Sequence, residues 1–434
     1  MTFLLLLAAL IALLYCGLPM FAALFLLPLA VLYWTEGGVP ALGELVIGNL
    51  NGYLLVAIPL FMLKAHIMVR GRVVDDLYAT AFLLLRGVRG GVGIATVAAC
   101  TIFAAISGSS VATALTVGKI AIPQMLRYGM SRRGAFGVVA GGGTLGILLP
   151  PSAPMVLYAY VTETSVVALF AAGLVPGAMM AAMFAGWCWL TEGRAVPPAD
   201  APAADGAPGA DATMARPSFA RAAWALSLPV FVLGGLYLGI FTATEAAGTG
   251  TLYALLIAVL VYRHLSWADL VDGIRDATRT GAMLLLIIAG AAIYGYMLTK
   301  LRVPQEMVSL VTDLGLSRTG FLLVMMALLF VLGLILESFS IILLTMPAVL
   351  PAMAALGIDK VWYGVLLTLS LEMALISPPV AMNLVVIKAI TGAPLAEVNR
   401  SVLPYIAMLA IGTGLLIAFP GIALWLPRVM GYAG

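Results

Sequence analysis

Four short stretches decide the fold: SGSSVATA at 107–114, GGGTLGILLPPS at 141–152, LESFSIILLTMPAVLP at 336–351 and LSLEMALISPPVAMN at 369–383. They set small polar residues, a carboxylate or a Pro-Pro step inside sequence that is otherwise apolar. In lipid, irregular backbone is tolerated only where it is buried in protein or lines a wet cavity. A shift of 228 residues relates the first pair to the second. It lays Pro123 on Pro351, Gly129 on Gly357, Ser131 on Asp359, Pro150 on Pro378 and Pro151 on Pro379, and it places Ser109 and Ser110 on Glu337 and Ser338. Five such matches at one offset point to a duplicated unit. Duplication with helix breaks in matching places is the pattern of a secondary transporter, whose sites lie at the repeat interface near the bilayer midplane.

The composition around these breaks places them in a membrane. Of 434 residues, 63% are hydrophobic and 9% charged, too little polar surface for a soluble protein of this size. Further apolar stretches lie near 53–69, 92–107, 165–190, 222–241, 245–262, 280–299, 320–336 and 403–426. With roughly 20 residues per crossing, an all-α, multi-span protein follows and a single-span receptor is excluded. Residues 1–35 carry no charge and lack the basic start of a cleavable signal peptide, so they read as a retained helical hairpin turning at Gly17-Leu18-Pro19. The domain reading is a first half over 1–190, a hydrophilic, proline-rich linker over 191–221 and a second half over 222–434. Residues 72–87 have the spacing of an amphipathic helix in the interface plane, with Asp75, Asp76, Arg86 and Arg89 off the apolar face. Val303, Met307, Leu310, Val311 and Leu314 give a shorter counterpart. Arms joining a scaffold to a moving part and plain surface helices both fit this pattern.

Several function classes fall away. The formal charge of +3 is scattered, which argues against nucleic acid. Cys16, Cys100 and Cys188 stand apart in apolar sequence and read as small buried thiols. Two histidines, His66 and His264, are too few and too distant for a histidine metal centre. Gly118-Lys119 is followed by Ile120, so no phosphate-binding loop is present.

Within the breaks, hydroxyls and freed carbonyls can replace the water shell of a hard cation such as sodium. Opened helix N-termini offer N–H groups to a carboxylate. Gly142 and Gly173 read as close-packing residues; Ser107, Gly108, Ser109 and Ser110 with Gly146, Pro150 and Pro151 read as functional. Glu337 and Glu372 are carboxylates in apolar sequence and so candidates by cost alone, with a protonated structural carboxyl as the alternative for each. Glu372 occupies the position shifted from Thr144.

Taken together, SGSSVATA with GGGTLGILLPPS, GIFTATEAA at 239–247, and ALGIDKVWYG at 355–364 followed by SPPVAMN at 377–383 resemble the large membrane subunit of tripartite ATP-independent periplasmic transporters of the dicarboxylate type, in order along nearly the whole chain. The resemblance implies an inner-membrane permease of a bacterium or archaeon, with no cofactor beyond sodium as coupling ion. Its implied partners are a small four-helix membrane subunit and a periplasmic binding protein that delivers an organic acid. It also implies an inverted-repeat, elevator-type fold with re-entrant hairpins at 92–125 and 320–351 and discontinuous helices broken at 150–151 and 378–379. The implied ion and substrate residues are Ser107, Gly108, Ser109, Gly143, Thr144 and Gly146 in the first half. In the second they are Glu337, Ser338, Ser377, Pro378 and Asn383, with Thr242, Thr244 and Glu245 as weaker members. Ala374 and Ala381 stand where glycine is common in the family, and Glu372 adds an acid outside its pattern, which leaves a proton or another cation stoichiometry open there. The rival readings are a stand-alone sodium- or proton-coupled exchanger and an intramembrane enzyme, the latter weakened by the lack of an HExxH pair. The organic acid itself and the topology of the termini are not fixed by the sequence.

Overall fold

Proline, glycine and short hydroxyl side chains punctuate this chain into helices. The computed structural model describes residues 2–38, 42–193, 219–378 and 381–432, and among these all regular structure is helical. A leading hairpin, α1 (Thr2–Tyr15) and α2 (Met20–Glu36), turns at Gly17 with φ +88°. After α3 (Leu42–Leu50) come α4 (Ala57–Arg70), α5 (Val73–Leu85), α6 (Gly91–Ser107), α7 (Ser110–Arg127), α8 (Arg132–Leu148), α9 (Ala153–Thr162) and α10 (Val166–Thr191). The second half runs through α11 (Phe219–Tyr237), α12 (Ala243–Leu256), α13 (Trp267–Lys300), α14 (Val303–Asp313), α15 (Arg318–Gly333) and α16 (Ser338–Ala355). It closes with α17 (Lys360–Leu375), α18 (Met382–Thr391), α19 (Leu395–Ala418) and α20 (Gly421–Val429). Eight of the described helical stretches are long and apolar enough to cross a membrane. Most of the linker read over 191–221 lies outside the described residues.

The offset seen in the sequence recurs in the helix ends. Both the first and the last residues of α7 and α16 are 228 apart, as are the first residues of α8 and α17. The connecting turns repeat as well: Gly129 and Gly357 take φ +80° and +61°, a region open to glycine at no steric cost. Ser131 and Asp359 then cap the next helices by accepting the N–H of Gly134 and of Trp362. α5 and α14 likewise start from Arg72 and Arg302, both held at φ near +57°, a left-handed setting that costs an L residue roughly 1–2 kcal/mol.

Packing centres on α8, which with α9 is almost wholly enclosed. The reason is its lack of side chains on the faces that meet neighbours. A Cβ on Gly137 would collide with the Ser401 carbonyl and one on Gly141 with the Tyr405 ring, so α19 lies directly on the α8 backbone. Gly142 makes room for the Cys100 thiol of α6, 2.9 Å from where a Cβ would stand. Across the other side, Tyr158 donates to the Lys360 carbonyl at 2.7 Å and Lys360 donates to the Thr162 carbonyl at 2.9 Å, which ties α9 to the start of α17.

Several expectations change. α3 was not marked by apolar run length, because Glu44 and Asn49 interrupt it. The helix read from 280 begins at Trp267: Ser266 and Asp269 form a reciprocal capping box, and Arg70 of α4 meets Asp269, Asp272 and Asp276 at 3.7, 3.5 and 3.1 Å, so this polar stretch is helical as well. The run read over 403–426 is two helices, parted at Phe419-Pro420. Asp76 is buried instead of lying on the wet face of α5, and Cys16 is exposed at the leading turn.

Since the Ser401 carbonyl cannot yield, Gly137→Ala should lower stability by about 1–3 kcal/mol as an overpacking change. Gly248→Ala, where the nearest atom is 4.0 Å away, should be neutral or slightly stabilising. Thermal unfolding of both variants in detergent measures the contrast.

Candidate functional site

Both interrupted segments open on one cavity of about 500 Å³. Residues 107–112 and 333–339 line it, from the α6–α7 and α15–α16 tips. Ala153 and Pro154 after the first Pro-Pro step and Ala381 and Met382 after the second also reach it, so the N-terminal ends of α7, α9, α16 and α18 all border this space. Such ends present unbonded N–H groups and the positive end of the helix dipole. The facing wall is α4, through Phe61, Met62, Ala65, His66 and Val69, with Thr280 of α13.

The first tip is built from glycine and hydroxyl chemistry. Gly108, at φ +63°, ends α6 by donating to the Ala104 carbonyl at 2.9 Å, and it sits so close to the Pro151 carbonyl that a Cβ would not fit. Ser109 caps α7 by accepting the Ala112 N–H at 3.4 Å. Ser107 and Thr113 hydroxyls pair at 3.0 Å, and Thr113 donates to the Ser109 carbonyl at 2.8 Å. Underneath, a Cβ on Gly146 would lie 2.5 Å from the Ser109 carbonyl, and one on Gly143 2.8 Å from the Ala114 methyl. These two glycines act as spacers that seat the tip. Thr144 is buried and donates to the Gly141 carbonyl at 2.6 Å.

The Asn383 side chain joins the two halves here. Asn383 of α18 donates to the Ser110 hydroxyl at 2.8 Å and to the Ala140 carbonyl at 3.5 Å, while its own Oδ1 is buried without a hydrogen-bond partner. In the second tip Glu337 is half-buried and accepts from the Ser340 hydroxyl at 3.0 Å, with Ser338 buried beside it. Glu337 also borders a second recess of about 420 Å³ that reaches Tyr15 and Leu18 of the leading hairpin.

The remaining expected residues divide. Pro150 and Pro151, joined by a cis bond, have no N–H, so the Gly146 and Ile147 carbonyls lack their helical donors. Pro378 removes the donor for Ala374, whose carbonyl accepts instead from the Ser377 N–H at 3.1 Å; Pro379 lies outside the described residues. The Ser377 hydroxyl turns back to the Met373 carbonyl at 2.7 Å. Glu372 is fully buried and does not line the cavity; its carboxyl is set against the Leu148 backbone at the end of α8. Thr242 and Glu245 are elsewhere: they form the exposed capping box of α12, with the Thr242 N–H and hydroxyl both donating to Glu245 at 2.9 Å, and Thr244 donates to the Tyr53 carbonyl. The GIFTATEAA segment therefore starts a helix and does not line the cavity. Sequence reasoning passed over Ser152, whose hydroxyl is buried without a partner at the first break, and also His66 and Thr280. A histidine inside an apolar span was the available signal.

A membrane-embedded cavity framed by two helix tips and two helix breaks belongs to the secondary transporters. Within that class, the chain belongs to the family of the DctM component of tripartite ATP-independent periplasmic transporters, whose family model matches residues 7–422. It is 37% identical over 93% of both chains to the C4-dicarboxylate TRAP transporter large permease protein DctM of Pseudomonas aeruginosa. It is 30% identical to the sialic acid TRAP transporter large permease protein SiaM of Vibrio cholerae, over 97% of this chain and 98% of that one. The fold is similar to that of the Alcanivorax borkumensis YdaH transporter, with a TM-score of 0.61 at 16% identity, covering 88% and 87% of the two chains. The protein is thus a multi-pass permease subunit of the bacterial inner membrane.

If Gly143 and Gly146 seat the tip, Gly146→Ala should loosen it. In a Cys16→Ser background, an Ala112→Cys thiol on the cavity wall should then react with maleimide at least threefold faster. Gly186→Ala, which meets nothing within 4 Å, should leave that rate unchanged.

Proposed function

We propose that this chain is the membrane pathway for a small organic acid, imported by sodium-coupled alternating access of the elevator type. A periplasmic binding protein delivers the acid, and a small four-helix membrane subunit completes the assembly. The observation that carries the reading is the meeting of both tips and both breaks at one cavity, with Asn383 bridging the halves. Relatives named for a C4-dicarboxylate and for sialic acid share one recognisable group, the carboxylate. The helix N-termini of α7, α9 and α18 around the cavity suit that group, whereas that of α16 is headed by Glu337.

Sodium takes hard oxygen donors, and the donor set fits. The Asn383 Oδ1 and the Ser152 hydroxyl are buried and unbonded, the Gly146 and Ile147 carbonyls have lost their helical donors, and Ser107, Ser109 and Ser110 add hydroxyls. Gly108, Gly143 and Gly146 admit the close backbone, with Thr144, Pro150 and Pro151 behind them. In the second half Glu337, Ser338, Ser377 and Pro378 would do the same, with Glu372 as a buried acid nearby in sequence. α6 with α7 and α15 with α16 serve as the re-entrant hairpins of two inverted repeats, and α5 and α14 as the arms that join scaffold to moving core.

In proteoliposomes, uptake of labelled succinate should require sodium and rise more steeply than first order in it. Full activity with choline in place of sodium, at constant pH, would sink the coupling. Ser109→Ala and Glu337→Gln should both raise the sodium requirement. Because Ser109 also caps α7, its loss carries about 0.5–2 kcal/mol of stability, so thermal stability is recorded beside the titration. Normal sodium dependence in both variants would refute the site.

The partner reading has its own check. The chain mixed with its small subunit and binding protein should transport at least tenfold faster than the chain alone. Equal rates would leave no place for a tripartite assembly.

A further inference from the structure

Two ionisable side chains line the main cavity, and they stand on different walls: Glu337 on the second tip and His66 on α4. The His66 imidazole is also the one nitrogen-bearing side chain in that lining. It is half-buried, and the ring forms no hydrogen bond to another described residue. α13 backs it closely, since a Cβ on Gly273 would lie 3.6 Å from the His66 Cβ. One turn on, Arg70 is held at 3.1 Å by Asp276 and is also flanked by Asp269 and Asp272; Arg70 and Asp276 are the charges His66 feels. Arg70 is thereby committed to α13 and does not line the cavity, which leaves His66 as the free donor on this wall.

We propose that His66 binds the second polar head of the transported acid, the end that does not meet the helix tips. The inference rests on the organic-acid reading above and adds the residue that selects within that class. The physical argument is complementary placement. A carboxylate next to Glu337 is repelled, whereas one facing α4 finds an imidazole N–H, and a hydrogen bond to a charged acceptor is among the stronger kinds. A substrate with a polar group at each end can use both walls. A simple fatty acid of the same length leaves the imidazole unsatisfied against a methyl group, and an unpaired polar group discriminates more sharply than a missing apolar contact.

The probes are labelled succinate and unlabelled butyrate, which has the same number of carbons and one carboxylate. His66→Leu should raise the KM for succinate at least tenfold, leave the maximal rate and the sodium requirement within twofold, and change inhibition by butyrate less than twofold. His66→Gln, which keeps an N–H donor, should stay within threefold of the wild-type KM. An equal rise in both variants would assign the effect to ring volume and overturn the proposal, as would an unchanged KM in His66→Leu. A second measurement does not depend on any variant at the site. His264→Gln leaves His66 as the sole histidine of the chain, so its reaction with diethyl pyrocarbonate can be followed directly. Succinate with sodium should slow that reaction at least threefold and butyrate should not; equal rates with and without succinate would overturn the proposal even if a variant failed to fold. If the wild type shows sodium-driven uptake of neither succinate nor sialic acid, matching the substrates its relatives are named for, the organic-acid reading itself falls, an outcome visible before any His66 variant is made.

Discussion

Inside a bilayer a backbone N–H or C=O has no water to bond, and this constraint governs the whole molecule. A chain that interrupts its helices four times within the apolar layer must supply a protein partner for what each interruption frees. It does so with a small kit. Ser109 caps α7, Thr113 bonds the Ser109 carbonyl, and Asn383 reaches across from α18 to the start of α7. Glycines bring the backbones together: Gly146 of α8 lies under the Ser109 carbonyl and Gly173 of α10 under the Leu148 carbonyl. Burial of α8 is therefore a requirement of the breaks it supports.

The same constraint sets the cost of the atoms left unsatisfied. Among the described buried side chains, the Asn383 Oδ1 and the Ser152 hydroxyl have no hydrogen-bond partner and follow a Pro-Pro step closely, while the unpaired hydroxyls of Tyr78, Thr80, Tyr237, Tyr294 and Tyr363 and the Asn399 Oδ1 lie elsewhere in the chain. A buried polar atom without a partner costs roughly 1–3 kcal/mol, and at the breaks that cost falls on oxygens of the kind a hard cation takes.

Much of this was legible in the residues. Pro, Gly and a capping side chain recur at one offset, and those are the very residues that end helices, so the matching bounds of α7 with α16 and the matching starts of α8 and α17 could be read before any coordinate. Apolar run length was a poorer guide. It passed over α3 and the first turns of α13, because a helix whose charges are paired with a neighbour, as Arg70 pairs with Asp269, Asp272 and Asp276, carries no hydropathy signal. For the cavity, motif residues were found but their jobs were mixed. Gly143 and Gly146 are spacers, and Thr242 with Glu245 is a helix cap, since Thr-x-x-Glu serves a helix start wherever one lies. His66 was weighed only as half of a metal pair, because nothing in a linear apolar run tells which face of α4 meets a cavity.

One feature of the frame reaches beyond the hydrocarbon layer. α13 has 34 residues, so at 1.5 Å per residue it is about 51 Å long, against a hydrocarbon layer of about 30 Å. Its excess length is a polar stub, and α4 is fastened to that stub through Arg70. The apolar run of α13 near 280–299 has about the 20 residues that one crossing takes, so the stub stands outside the hydrocarbon layer. The wall that α4 gives the cavity is thus anchored from beyond that layer, by ion pairs in the polar zone.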